Sequence, residues 1–274
     1  MSQLSYASHV AEQTAPRECV RVERLDKHFG GPRVLEDVSF TLTGGHVHSI
    51  IGPNGAGKTT LLNVLSCLYR ASAGQVFIDG REITLLAPHE LAGLGVARTF
   101  QNLKVCRRMT VEENVLLGAH IGLQTGLFAG ILRSPTMVRR DRDLRWRVRE
   151  LLAVVGLKVE PSAMPDSLSY GALKRLEIAR ALMGKPRLIL LDEPSAGLNP
   201  RETWEVGRLL QHLASQEITI VLIEHDMKLV MGISDNVVVL NYGRMIAQGT
   251  PDEVARDPEV IAAYLGIAME PRHT

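Results

Sequence analysis

One stretch constrains this chain's fold more than any other: VHSIIGPNGAGKTTLLNVL at 47–65. A short β-branched and apolar run ends in glycine, and beyond the loop Leu61, Leu62, Val64 and Leu65 recur at helical spacing. The predicted order is therefore strand, glycine-rich loop, helix. GPNGAGKT at 52–59 fits G-x-x-x-x-G-K-[ST], and the strand-to-helix setting is what raises that match above coincidence. Gly55 and Gly57 let backbone N–H groups turn inward around an anion, and the helix N-terminus adds favourable partial charge. Gly52, Pro53, Asn54, Gly55, Ala56, Gly57, Lys58, Thr59 and Thr60 are accordingly the candidate nucleotide-binding residues. Lys58 is placed to bridge the β- and γ-phosphates of ATP, and the Thr59 hydroxyl to ligate Mg2+.

A second element makes sense of the first. RLILLDEP at 187–194 is an apolar strand ending in two adjacent carboxylates, which a purely structural strand end seldom carries. Asp192 is placed for the magnesium shell, and Glu193 to polarise the water that attacks the γ-phosphate. Three single residues gain meaning only from this company. Gln101 in RTFQN has a side chain able to orient that water and touch the metal, although a surface Gln explains it as well. His225, after the strand ITIVLIE, is within a plausible reach of the γ-phosphate or is a turn residue. Phe29 in HFGG is an adenine platform or a core aromatic.

Elsewhere simpler readings hold. Asn199 and Pro200 read as an N-cap and first helical position. His46 and His48 read as strand residues, because nothing nearby completes a metal site. In LSYGALKRLEIAR at 168–180, Ser169 caps a helix whose N-terminus is also an anion site.

Composition sets outer bounds. With 45% hydrophobic and 22% charged residues and a net charge of +1 over 274 residues, the chain has an ordinary globular composition, without the basic excess of a nucleic-acid binder. Cys19, Cys67 and Cys106 are widely spaced, so neither a disulfide framework nor a zinc site is indicated. The first 17 residues lack the pattern of a secretory signal and read as a poorly ordered lead-in. IGLQTGLFAGIL at 121–132 is too short to span a membrane.

The alternation of strands and helices calls for an α/β fold with a mostly parallel sheet. The nucleotide-binding core is expected over 18–102 and 166–250, a helical subdomain inserted at 103–165, and a helical tail over 251–274. Within the insert, RRDRDLRWRVRE reads as a solvated helix face because acidic residues interleave the arginines.

Phe29, GPNGAGKT, Gln101, LSYG, RLILLDEP, SAGLN and His225 stand in the order found in ATP-binding-cassette ATPases, which the chain resembles from about residue 18 to 250. The resemblance implies a P-loop NTPase (RecA-like) core with a small antiparallel β subdomain and an inserted α-helical subdomain. It makes Phe29 the adenine-stacking aromatic, Gln101 a catalytic and metal-contacting residue, Glu193 the catalytic carboxylate and His225 the γ-phosphate sensor. Ser169, Tyr170 and Gly171 become a signature turn that serves the nucleotide of a partner chain. Tyr170 and Ala172 stand where the common LSGGQ has Gly and Gln, so a weaker signature is expected.

RTFQN, MTVEENVL, RLEIARALM, AGLNP, VLIEHDMKLVMGISD and DPEVIAAYLG look most like the LivG-type ATP-binding subunits of high-affinity branched-chain amino-acid importers. That likeness implies ATP and Mg2+ as cofactors, a second ATPase subunit, two transmembrane permease subunits and, indirectly, a periplasmic or extracellular solute-binding protein. It places the chain on the inner face of the cell membrane. Subunits for urea, short amides or lipopolysaccharide precursors look similar. A soluble switch ATPase would need a long coiled coil or two cassettes, and a small-molecule kinase gives no reason for LSYG or His225.

Overall fold

The computed structural model describes residues 17–99, 105–120 and 135–265. Two long strands open it, β1 (Glu18–His28) and β2 (Arg33–Thr43), antiparallel to each other. β3 (Val47–Ile51) leads through the glycine loop into α1 (Lys58–Leu65). β4 (Ala73–Ile78) and β5 (Arg81–Glu82) complete a four-stranded antiparallel sheet in the order β2-β1-β4-β5. α2 (Pro88–Gly93) and β6 (Val96–Arg98) precede a helical stretch made of α3 (Val111–His120), α4 (Pro135–Val154) and α5 (Tyr170–Met183). The remainder alternates: β7 (Leu188–Asp192), α6 (Pro200–Ala214), β8 (Thr219–Ile223), α7 (Met227–Ile233), β9 (Asn236–Asn241), β10 (Arg244–Gly249), α8 (Pro251–Arg256) and α9 (Pro258–Leu265).

The second sheet runs β10-β9-β3-β8-β7-β6. β9, β3, β8, β7 and β6 are parallel neighbours, and β10 returns antiparallel through a tight turn. Every residue of β3, β7 and β8 is buried, as a parallel strand covered on both faces requires. Successive side chains in these strands feed opposite cores. Leu188, Leu190, Val221 and Ile223 join β1, β2 and α1 in one core, between the two sheets. Ile189, Leu191, Ile220 and Leu222 join α3 to α7 in the other. A period of two therefore assigns each strand residue to a layer.

Helix ends are closed by side chains. Asn199 accepts from the Glu202 N–H at 3.0 Å while Glu202 accepts from the Asn199 N–H at 3.2 Å, a capping box with Pro200 at the first helical position. Ser169 accepts from the Ala172 N–H at 3.3 Å, so the capping expected of LSYG is present. On α4 the side chains of Arg142, Asp143, Arg145 and Arg149 are exposed, consistent with a solvated face.

His46 lies just before β3 rather than on it, with Nδ1 2.7 Å from the Gly44 carbonyl. His48 is wholly buried, and its Nε2 meets the Thr43 carbonyl at 2.8 Å. Among the described residues no group of three or more His, Cys, Asp or Glu could hold a metal ion, and no helix is long and apolar enough to cross a membrane.

Candidate functional site

Three adjacent parallel strands, β3, β8 and β7, end on the same edge of the sheet, where α/β folds place ligands. β3 delivers the glycine loop, β7 delivers Asp192 and Glu193, and β8 delivers Glu224 and His225. The loop's shape depends on two missing side chains. At Gly52 a Cβ would lie 2.0 Å from the Leu240 carbonyl oxygen, and at Gly57, with φ +97°, it would lie 2.8 Å from Leu35 Cδ2 and the Val34 oxygen. Any other residue would push the loop off β2 and β9.

A cavity of about 280 Å3 opens above the loop, lined by residues 54–60 together with Val34, Glu193 and His225. Lys58 is buried, and its Nζ donates to the carbonyls of Gly52 at 2.7 Å and Pro53 at 2.9 Å. Burial pulls the Lys58 pKa below its ordinary value, opposed by the nearby Glu193 carboxylate. The ammonium is thus held beside the site on partners that a phosphate can replace.

Across the cavity, Glu193 Oε1 and His225 Nε2 lie 2.6 Å apart. Glu224, only 3% exposed, accepts from the Ser195 N–H at 2.8 Å through one oxygen and from the His225 N–H at 3.1 Å through the other. The turns after β7 and β8 are thereby pinned to one carboxylate.

Asp192 is 4% exposed, and its Oδ2 lies 3.6 Å from Arg98 Nη2. Its buried Oδ1 has no hydrogen-bond partner among the described residues. Burial raises the Asp192 pKa and Arg98 works against the rise. Asp192 lies outside the cavity lining, next in the chain to Glu193, which lines it; its orphaned carboxylate oxygen, like the Thr59 hydroxyl in the lining, is a ligand type that a hard, oxygen-seeking cation takes. Mg2+ fits such a donor set, since it takes one or two protein oxygens and completes its shell with phosphates and water.

The signature turn stands apart from this cavity. Ser169 and Tyr170 are exposed at the N-terminus of α5, Gly171 is buried, and none of the three lines the cavity. Phe29 is 54% exposed and is also outside the lining; its ring meets Tyr69 edge-on at 5.2 Å, with Lys27 Nζ 4.5 Å from its centre. Gln101 lies outside the described residues. Sequence reasoning passed over Val34, Arg98 and Glu224. A carboxylate closing the apolar run VLIE was a usable signal for Glu224, whereas nothing local marks Val34 or Arg98.

A phosphate-cradling loop, a strand-end carboxylate pair and a facing histidine on this sheet define a nucleotide-hydrolysing cassette. The chain belongs to the ABC transporter family, whose model matches residues 35–196, and it is an ATPase of that family. A second model, for branched-chain amino acid ATP-binding cassette transporters, matches residues 244–268.

Over 253 residues the chain is 43% identical to the high-affinity branched-chain amino acid transport ATP-binding protein BraF of Pseudomonas aeruginosa, covering 92% of this chain and 99% of that protein. Among solved structures it is similar to an ATP-binding cassette of an ABC transporter in its ADP conformation, with 33% identity and a TM-score of 0.78 over 91% of this chain and 99% of the other. It is also similar to a dimeric cassette in a post-hydrolysis state bound to ADP and Pi, with 26% identity and a TM-score of 0.70 over 85% and 98% of the two chains.

Proposed function

We propose that this chain is the ATP-binding and ATP-hydrolysing subunit of a membrane importer for branched-chain or related hydrophobic amino acids. The observation that carries the solute class is the match of residues 244–268 to a branched-chain amino acid transporter segment, joined to a cassette of the same kinship. In this reading the chain is peripheral to the inner face of the cell membrane, held there by two permease subunits fed by a solute-binding protein.

Loop N–H groups and Lys58 hold the triphosphate, with Lys58 exchanging its two loop carbonyls for phosphate oxygens. Phe29, exposed beside Tyr69 and Lys27, takes the adenine ring. Thr59 and Asp192 would hold Mg2+, which would supply positive charge against the phosphates. Glu193 accepts the proton of the attacking water, and His225 braces that carboxylate and reads the γ-phosphate.

One chain supplies half of a site. The cavity is lined by the loop, Glu193 and His225, while Ser169 and Gly171 of the same chain lie outside its lining. Two chains, or this chain and a sister subunit, facing head to tail bring each signature turn onto the other's γ-phosphate. ATP then favours the closed pair by contacts that hydrolysis removes, and reopening resets the permease.

The experiment is affinity capture of the associated membrane subunits, followed by uptake of labelled leucine in cells lacking this chain. Loss of uptake is expected, and unimpaired leucine uptake moves the assignment to another solute.

A further inference from the structure

Glu193 occupies a backbone conformation that its residue type disfavours. Its φ is +50°, in the left-handed region, a strained conformation that a non-glycine residue keeps only where its surroundings fix it. Three contacts do so. The Glu193 N–H donates to the Ile223 carbonyl at 3.0 Å, and its own carbonyl accepts from the Ala196 N–H at 3.1 Å and lies 3.5 Å from Lys174 Nζ. The first partner is the last residue of β8, and the second lies in Glu193's own turn after β7. The third comes from α5, one turn beyond the signature residues.

Lys174 is 4% exposed, and a buried ammonium is tolerated only among compensating groups. Its Nζ also lies 5.8 Å from the centre of the Tyr170 ring. That ring rests on the turn after Glu193: a Cβ at Gly197 would sit 3.0 Å from Tyr170 Cε1. A third point of approach is Gly171, where a Cβ would come within 2.7 Å of Glu202 Oε1, the carboxylate that closes the capping box of α6. The start of α5 and the segment 193–202 are thus in contact at three places. Gly197 has φ +79°, so the backbone of this turn itself calls for glycine where the ring approaches it.

We propose that Lys174 is a positioning residue for Glu193: from the signature helix it fixes the backbone of the carboxylate turn, so that a γ-phosphate sensed at Ser169 and Gly171 in one composite site sets the geometry of Glu193 in the other. This rests on the two-site pairing proposed above.

The test compares Lys174→Met and Lys174→Arg with wild type in ATP turnover, ATP affinity, Hill coefficient for ATP and melting temperature. Lys174→Met is expected to lower kcat about tenfold and to bring the Hill coefficient towards unity, with ATP affinity and melting temperature unchanged; Lys174→Arg recovers most of the loss. Full kcat and an unaltered Hill coefficient in Lys174→Met overturn the proposal. So does a parallel fall in stability, affinity and turnover that Arg does not rescue, which assigns a merely structural role. Should Lys174→Met not fold, Tyr170→Ala decides: it removes the ring that rests on the turn at Gly197 without straining the backbone there, and an unchanged kcat and Hill coefficient overturn the linkage. ATP-driven pairing of Glu193→Gln, measured in parallel, tests the dimer by itself, so that failure of pairing and failure of the Lys174 link are told apart.

Discussion

Glu193 and His225, from the ends of two adjacent strands, meet at 2.6 Å between Oε1 and Nε2. The contact holds the carboxylate at the wall of the cavity above the phosphate loop. Glu193→Gln is expected to keep ATP binding, cut hydrolysis roughly 100- to 10,000-fold, the range for a lost general base, and accumulate an ATP-bound pair on size exclusion. Unchanged hydrolysis would remove Glu193 from the role of base. His225→Ala, which leaves the carboxylate unbraced, is expected to lower kcat with little change in ATP affinity.

Lys58 trades two carbonyls for phosphate, so its removal is felt as lost affinity before lost chemistry. Hydrogen bonds to charged groups contribute about 1.5–3 kcal/mol each, which converts to roughly 10- to 150-fold weaker ATP binding in Lys58→Ala. Isothermal titration calorimetry measures this directly, and an unaltered affinity would contradict the role.

Asp192 supplies a pH-dependent test of the cation site. Its folded-state pKa lies above the ordinary 3.8, so the folded chain binds a proton there more readily than the unfolded chain does. The stability that this protonation contributes is present below the unfolded pKa and is lost as pH rises through the folded one. At neutral pH the ionised, buried carboxylate is unfavourable by itself, and a divalent cation relieves it. Mg2+ added to the ATP complex is expected to raise the melting temperature, by an amount that shrinks on acidification as protons compete for Asp192. In Asp192→Asn the increment is expected to vanish; its persistence would place the ion elsewhere.

Helix packing gives a stability test away from the chemistry. A Cβ at Gly118 would lie 1.9 Å from the Arg180 carbonyl oxygen, where α3 crosses α5. Gly118→Ala therefore forces the helices apart, at a cost of about 1–3 kcal/mol. Urea unfolding should show a lower midpoint, and an unchanged midpoint would mean that the helices are not in such close contact.

Ala172 is half-buried, and its N–H is spent on Ser169. Ala172→Gln restores an amide that reaches towards a partner's nucleotide while leaving that cap intact. ATP turnover is expected to stay equal or rise, and a large loss would show the turn to be misassigned.

Much of the fold was legible because its signals are local. The run VHSIIG and the leucines after Lys58 marked a strand, loop and helix, and the structure has β3, the loop and α1 there. RLILLDEP and ITIVLI marked buried strands, and Asn199 with Pro200 marked a helix start. The two-residue strand β5 and the order β10-β9-β3-β8-β7-β6 carried no such mark, because neighbour choice in a sheet depends on segments far apart in the chain.

The sequence alone determined the phosphate loop, the carboxylate pair and the helix caps, because backbone dihedral demands and periodicity belong to consecutive residues. Tertiary structure decided the rest. It set Arg98 against Asp192, pinned two turns to Glu224, brought Val34 to the cavity wall, and put Phe29 outside that wall against Tyr69. It also matched Tyr170 to Gly197 and Lys174 to the carbonyl of Glu193. Each of these contacts is fixed only when two cores close on opposite faces of one sheet, and no run of neighbouring residues records which distant side chain will then lie within reach.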